Sequence, residues 1–159
     1  MLTQNEPMSR SIEYTTRRME KKDLRRVLML MKLTAFQPPP EDVIEELFHD
    51  SDTVGIVAET IIRQRPRVIG HIFVSLHEHF MVMLDCDVHA DYRRMGIGST
   101  LVDYAKKSTA FHEVRRLINY CGEYNLGGQL FLQDQGFRCS GQEVLDDHAF
   151  LTMEWTSLH

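Results

Sequence analysis

Apolar residues change their spacing several times along the chain, and each change predicts a new element. Residues 12–18, rich in Thr and Tyr, read as a first strand. From Asp23, taken as a cap, Leu24, Val27, Leu28, Met31 and Ala35 fall on one helical face. Pro38, Pro39 and Pro40 end that helix, since proline brings no N–H and clashes with the preceding turn. A second, acidic helix follows, with Val43, Ile44 and Leu47 inward and Glu41, Asp42, Glu45 and Glu46 outward. Residues 53–62 and 68–76 read as two strands joined by a loose polar turn over 63–67. Residues 80–88 form the next strand, 96–111 a helix, 117–121 a short strand, and 126–135 a helix stopped by Gly136. Residues 137–145 and 149–155 close the chain as a strand pair.

Composition narrows what such a chain does. At 159 residues with 43% hydrophobic content it is one domain able to bury a core. We place that domain at 12–156, behind a disordered leader at 1–11. A net charge of −5 argues against general binding to nucleic acid or an anionic membrane. No apolar run approaches a membrane span, and the polar N-terminus lacks a signal-peptide core, so a cytoplasmic protein is expected. Cys86, Cys121 and Cys139 are odd in number and lack metal spacing, which fits reduced thiols. Met29, Met31, Met81 and Met83 read as core or pocket lining. The basic cluster Arg17, Arg18, Lys21, Lys22, Arg25 and Arg26 reads as a solvated face. His77-Glu78-His79 lies at a strand turn with no third ligand in view, so no metal is assigned.

The densest chemistry lies where the 80–88 strand breaks into Asp91-Tyr92-Arg93-Arg94-Met95-Gly96-Ile97-Gly98-Ser99. Glycines two apart leave N–H groups uncovered at the start of a helix, where about half a positive charge gathers. Arg93 and Arg94 add groups that fork onto phosphate oxygens. By physical chemistry alone this is an anion-binding loop. It is not a P-loop, having no Gly-Lys-Ser/Thr, nor a dinucleotide loop, since Leu101 stands where the third glycine would be. A nucleotide-binding domain is therefore disfavoured.

The segment resembles the coenzyme A pyrophosphate loop of the GNAT superfamily of acetyl-CoA-dependent N-acetyltransferases. Val88, Tyr92, Arg93, Gly96 and Gly98 stand in that family's register of strand, aromatic turn and Arg-x-x-Gly-x-Gly. Asn125 to Phe137 resembles a second family motif that ends in Gly-Phe, and the element order matches over nearly the whole chain. The resemblance implies an α+β fold with a mixed, mostly antiparallel seven-stranded sheet, splayed between the fourth and fifth strands and flanked by about four helices. It implies acetyl-CoA as co-substrate in the gap, held by Cys86, Val88, Arg93, Arg94, Met95, Gly96, Ile97, Gly98, Ser99 and Asn125. The acceptor would be a small-molecule or peptide amine, and homodimers are frequent among such relatives.

Acetyl transfer to an amine requires a neutral nucleophile, a donor for the thioester oxygen and a proton for the departing thiolate. Neutralising a lysine-like amine at pH 7 costs about 4–5 kcal/mol, which a general base lightens. Asp85 falls on an Asp found in one branch of the family, with Leu84 replacing a Glu. Asp85 and Asp87 alternate away from Val82, Leu84, Cys86 and Val88, which puts both on the substrate side. Asp85 is the first candidate base, followed by Asp87 and His89. A backbone N–H near 86–88 is the expected donor to the oxygen. Many relatives place a Tyr four residues before the Gly of Gly-Phe; here that position is Leu132, so either the thiolate leaves unprotonated or to water, or Tyr124 or Tyr120 serves as proton donor. The rival reading is a catalytically weak acyl-CoA-binding or regulatory module on the same fold.

Overall fold

A computed structural model describes residues 11–34 and 38–158. Ala35 and leader residues 1–10 lie outside the described residues. The elements are β1 (Thr15–Arg18), a 3-10 turn at Lys21–Asp23, α1 (Leu24–Thr34), α2 (Glu41–His49), β2 (Thr53–Ile62), β3 (Arg65–Leu76) and β4 (Phe80–Val88). Then come a 3-10 turn at Ala90–Tyr92, α3 (Ile97–Phe111), β5 (Arg116–Gly122), α4 (Leu126–Asp134), β6 (Arg138–Leu145) and β7 (His148–Thr156).

The strands form one sheet in the order β1-β2-β3-β4-β5-β7-β6. All neighbours are antiparallel except β4 and β5, which run parallel and pair only at Phe80–Arg116, Met81–Leu117 and Val82–Ile118. Beyond Val82 the two strands part, and Asn119 Nδ2 reaches across to the Met83 carbonyl at 2.9 Å. One sheet face packs on α3 through Ile72, Val74, Met81, Met83, Ile97 and Leu101. The other packs on α1 and α2 through Val57, Phe73, Leu24, Val27, Leu28, Met31 and Ile44.

Several local expectations need correcting. The β2–β3 turn is tight: Arg63 and Gln64 both take left-handed φ, 50° and 62°, the geometry of a two-residue hairpin. Asp23 is not an N-cap; it closes the 3-10 turn by accepting the Glu20 N–H, fully buried. Val43 and Met29 are exposed, because α1 and α2 each offer the sheet a narrower stripe than their apolar content suggests, and Phe48 packs on the core where Val43 does not. Arg17 leaves the solvated face to fork onto Asp23, at 2.6 and 2.9 Å, and reaches Glu59 at 2.9 Å.

A bulge at Leu84 matters most for the site. The pairing steps from Phe73–Asp85 to Val74–Met83, so Leu84 is left without a partner on β3. Alternation therefore restarts there. Met81 and Met83 share the α3 face with Cys86 and Val88, while Val82 joins the face of Asp85 and Asp87. The expected grouping of Val82 and Leu84 with Cys86 and Val88 fails for this reason.

Candidate functional site

Where β4 and β5 separate, they leave a groove of about 700 Å³. Its walls include Asp85, Cys86 and Asp87 of β4, Asn119 and Tyr120 of β5, Thr34 of α1, and Asn125 and Phe131 of the α4 segment. The His89 N–H bonds to Ile69 O of β3 at 2.8 Å. Successive residues of a strand turn their amides to opposite sides, so the N–H groups of Cys86 and Val88 face the gap instead.

The turn after Val88 leads into α3, whose Gly98 lies against Phe131 of the groove wall. The first helical bond runs from Thr100 N–H to Gly96 O at 3.0 Å, which leaves the amides of Ile97, Gly98 and Ser99 ahead of the hydrogen-bonded ladder. The two glycines serve different needs. Gly96 has φ +83° with open space around it, so backbone conformation alone requires glycine there. Gly98 has an ordinary φ, but a Cβ would come within 3.2 Å of Phe131, so it permits the close approach of α4.

Around these amides the named loop residues divide their tasks. Arg93 Nε donates to Val88 O at 3.1 Å and tethers the turn, while Arg94 is exposed with φ 64°. Ser99 Oγ accepts from Gln135, so its own proton is free for another acceptor. Ile97 is buried and Met95 packs on the core, so only their amides are available to a ligand. Bare amides flanked by two guanidinium groups suit a diphosphate-sized anion. Asn125 caps α4, with Oδ1 accepting from the Gly128 N–H at 2.9 Å.

The opposite side of the groove is acidic. Asp85 Oδ2 lies 2.7 Å from Nε2 of His71, a fully buried residue of β3 that the sequence reading missed. Asp87 Oδ2 accepts from Thr34 Oγ1 at 2.8 Å. Burial and the neighbouring Asp85 push the Asp87 carboxyl above its ordinary value, more than Thr34 offsets. Burial, and then the charges of those two carboxylates, push the Cys86 thiol up. His71, Asp85 and Asp87 are the one metal-capable trio among the described residues, and the His71–Asp85 bond already occupies Nε2.

The remaining candidates stand apart from that acidic pair. Tyr124 is 86% exposed on the groove rim, and Tyr120 is partly exposed on its wall. Leu132 is buried in the core, and His89 caps the turn by accepting the Asp91 N–H. Among the sequence signals, the period-two spacing of Asp85 and Asp87 and the family resemblance at Asp85 pointed to the acidic wall. Nothing in the apolar run around His71 marks it as a partner.

Comparisons with known proteins agree with this architecture. The family model for the acetyltransferase (GNAT) family matches residues 21–137. Among curated proteins, none matches the chain in sequence. Among solved structures, Ard1 from Thermoplasma volcanium superposes with a TM-score of 0.79 at 20% identity, covering 92% of this chain and 99% of its own. The ribosomal-protein-S18-alanine N-acetyltransferase of Escherichia coli gives 0.77 at 14%, covering 91% and 94%. Arabidopsis thaliana NAA60 in complex with acetyl-CoA gives 0.77 at 15%, covering 91% and 98%. At such identities these structures speak for the fold, and the family model, which spans most of the chain, settles its membership: the protein belongs to the GNAT family of acetyltransferases.

Proposed function

We propose that the protein transfers an acetyl group from acetyl-CoA to a primary amine by direct attack in a ternary complex. One observation carries the reading: the amides of Ile97, Gly98 and Ser99 stand ahead of the α3 ladder, and Gly98 sits against Phe131, a wall residue of the groove between β4 and β5. These amides, with Arg93 and Arg94, would hold the diphosphate, and Asn125 would keep the adjoining helix start in place. Bound acetyl-CoA supplies an activated acyl thioester. The N–H groups of Cys86 and Val88 face an oxygen on which charge builds, an oxyanion-hole arrangement that needs no special side chain. Asp85 receives the proton of the acceptor's ammonium, with Asp87 behind it. Tyr124, or Tyr120 on the wall, returns a proton to the departing thiolate. Holding amine and thioester in one groove supplies much of the rate.

Leu132 favours the second reading, a weak acyl-CoA-binding module, because leucine has no proton to donate at the position where many relatives carry a tyrosine. Thiol release from acetyl-CoA, measured with polyamines, aminoglycosides, amino acids and free-amine peptides, separates the two. Amine-dependent release supports transfer; coenzyme A binding without release across that panel favours the module.

A further inference from the structure

His71 sits on β3 between apolar neighbours; Ile69, Ile72, Phe73 and Val74 are all buried. It is itself fully buried, and its Nδ1 has no hydrogen-bond partner. Buried polar atoms are nearly always paired, so an orphan nitrogen in a sheet core calls for a reason. The ring makes one hydrogen bond, to Asp85 Oδ2 at 2.7 Å. With no acceptor facing Nδ1, the ring proton belongs on Nε2, which donates to the carboxylate. The Asp85 side chain is 32% exposed and lines the groove, so it is gripped from inside the sheet by one oxygen. Its Oδ1 makes no hydrogen bond to another side chain among the described residues.

We propose that His71 is the positioning residue of the acceptor side: its Nε2–H fixes the Asp85 carboxylate so that Oδ1 receives the proton leaving the acceptor's ammonium. The inference rests on the acetyltransferase reading. In this step one proton moves from the ammonium nitrogen to Oδ1, leaving the amine its lone pair, and no other bond changes. Donation from Nε2 holds the carboxylate in one rotamer. The titratable and charged groups around Asp85 are His71 from β3, Asp87 and Cys86 on its own strand, and Tyr120 and Tyr124 across the groove. Arg93 acts on Asp87 from the turn, and the groove residue from α1 is Thr34, which does not titrate.

The test measures thiol release from acetyl-CoA against pH, with the best acceptor of the amine panel, and coenzyme A affinity alongside. His71→Leu should lower kcat by roughly tenfold to a hundredfold near pH 7, with coenzyme A affinity unchanged. His71→Gln, which keeps an N–H donor, should recover most of the loss. In an Asp85→Asn background, His71→Leu should cost nothing more, since it acts through Asp85. Nitrogen-15 spectra should show the Nε2–H tautomer in the parent.

Failures separate cleanly. A folded His71→Leu with parent-like turnover, where Asp85→Asn is impaired, overturns this inference alone. An Asp85→Asn enzyme with parent-like turnover removes Asp85 as base and the inference with it. If no amine is turned over, the acetyltransferase reading falls and takes the inference down. Should His71→Leu not fold, an Nδ1–H tautomer in the parent or a failed His71→Gln rescue overturns it.

Discussion

Asp87, Asp85 and Asp23 carry the same side chain into three surroundings, and the surroundings decide what each carboxylate does. Asp87 is raised by burial and by Asp85, so its ionised form is disfavoured in the fold. A raised carboxyl contributes stability that is present below its ordinary value of 3.8 and is lost as pH climbs through the folded value. Asp87→Asn is therefore expected to raise Tm near pH 7, with the gain shrinking toward pH 4; melting curves across that range check it. Asp23 has the opposite sign. Burial opposes its charge, but Arg17 and the Glu20 N–H more than offset that and hold it below its ordinary value. Its contribution is present above 3.8 and lost as pH falls through the lowered folded value. Arg17→Ala, which leaves a buried carboxylate without its partner, should cost about 3 kcal/mol by denaturant titration near pH 7. That cost should shrink on acidification. The charges of both residues are plain in the sequence, but a pairing across the β1–α1 corner is not.

At the scale of elements, the turn between β4 and α3 was the most legible part of the chain. Its requirements are local: a glycine at positive φ, amides ahead of the helical ladder, cations next to them. The structure separates the two glycines by cause. Gly96→Ala should destabilise by about 1–2 kcal/mol through backbone strain, whatever side chains surround it. Gly98→Ala should be destabilised by contact with Phe131, and Phe131→Leu should recover part of that loss while leaving Gly96→Ala unimproved. A double-mutant cycle of melting temperatures tests the difference. The β4 bulge was not legible in this way. An extra residue in a strand leaves no compositional trace, and Leu84 looks like any other apolar position, yet it decides which residues share a face with Asp85 and Asp87.

At the scale of the whole molecule, the sheet works as a frame parted at one seam. β4 and β5 hold together over three residue pairs, and Asn119 braces the point of separation. A ligand that fills this seam should stabilise the fold by mass action. Coenzyme A at a hundred times its Kd should add about 2.7 kcal/mol, or roughly 5–10 °C in Tm, whereas ATP and NAD at equal concentration should not. Element order was read correctly because periodicity, proline and glycine act within a few residues of where they stand. Sequence by itself determined the strand and helix succession, the glycine turn that opens α3 and the family likeness, all of which rest on local spacing. Only the tertiary structure decided that His71 meets Asp85, that Arg17 meets Asp23 and that Leu132 lies in the core. Those contacts join residues far apart in sequence or turn on which face a strand or helix buries, and a spacing rule carries no information about which distant neighbour the packed sheet will bring against it.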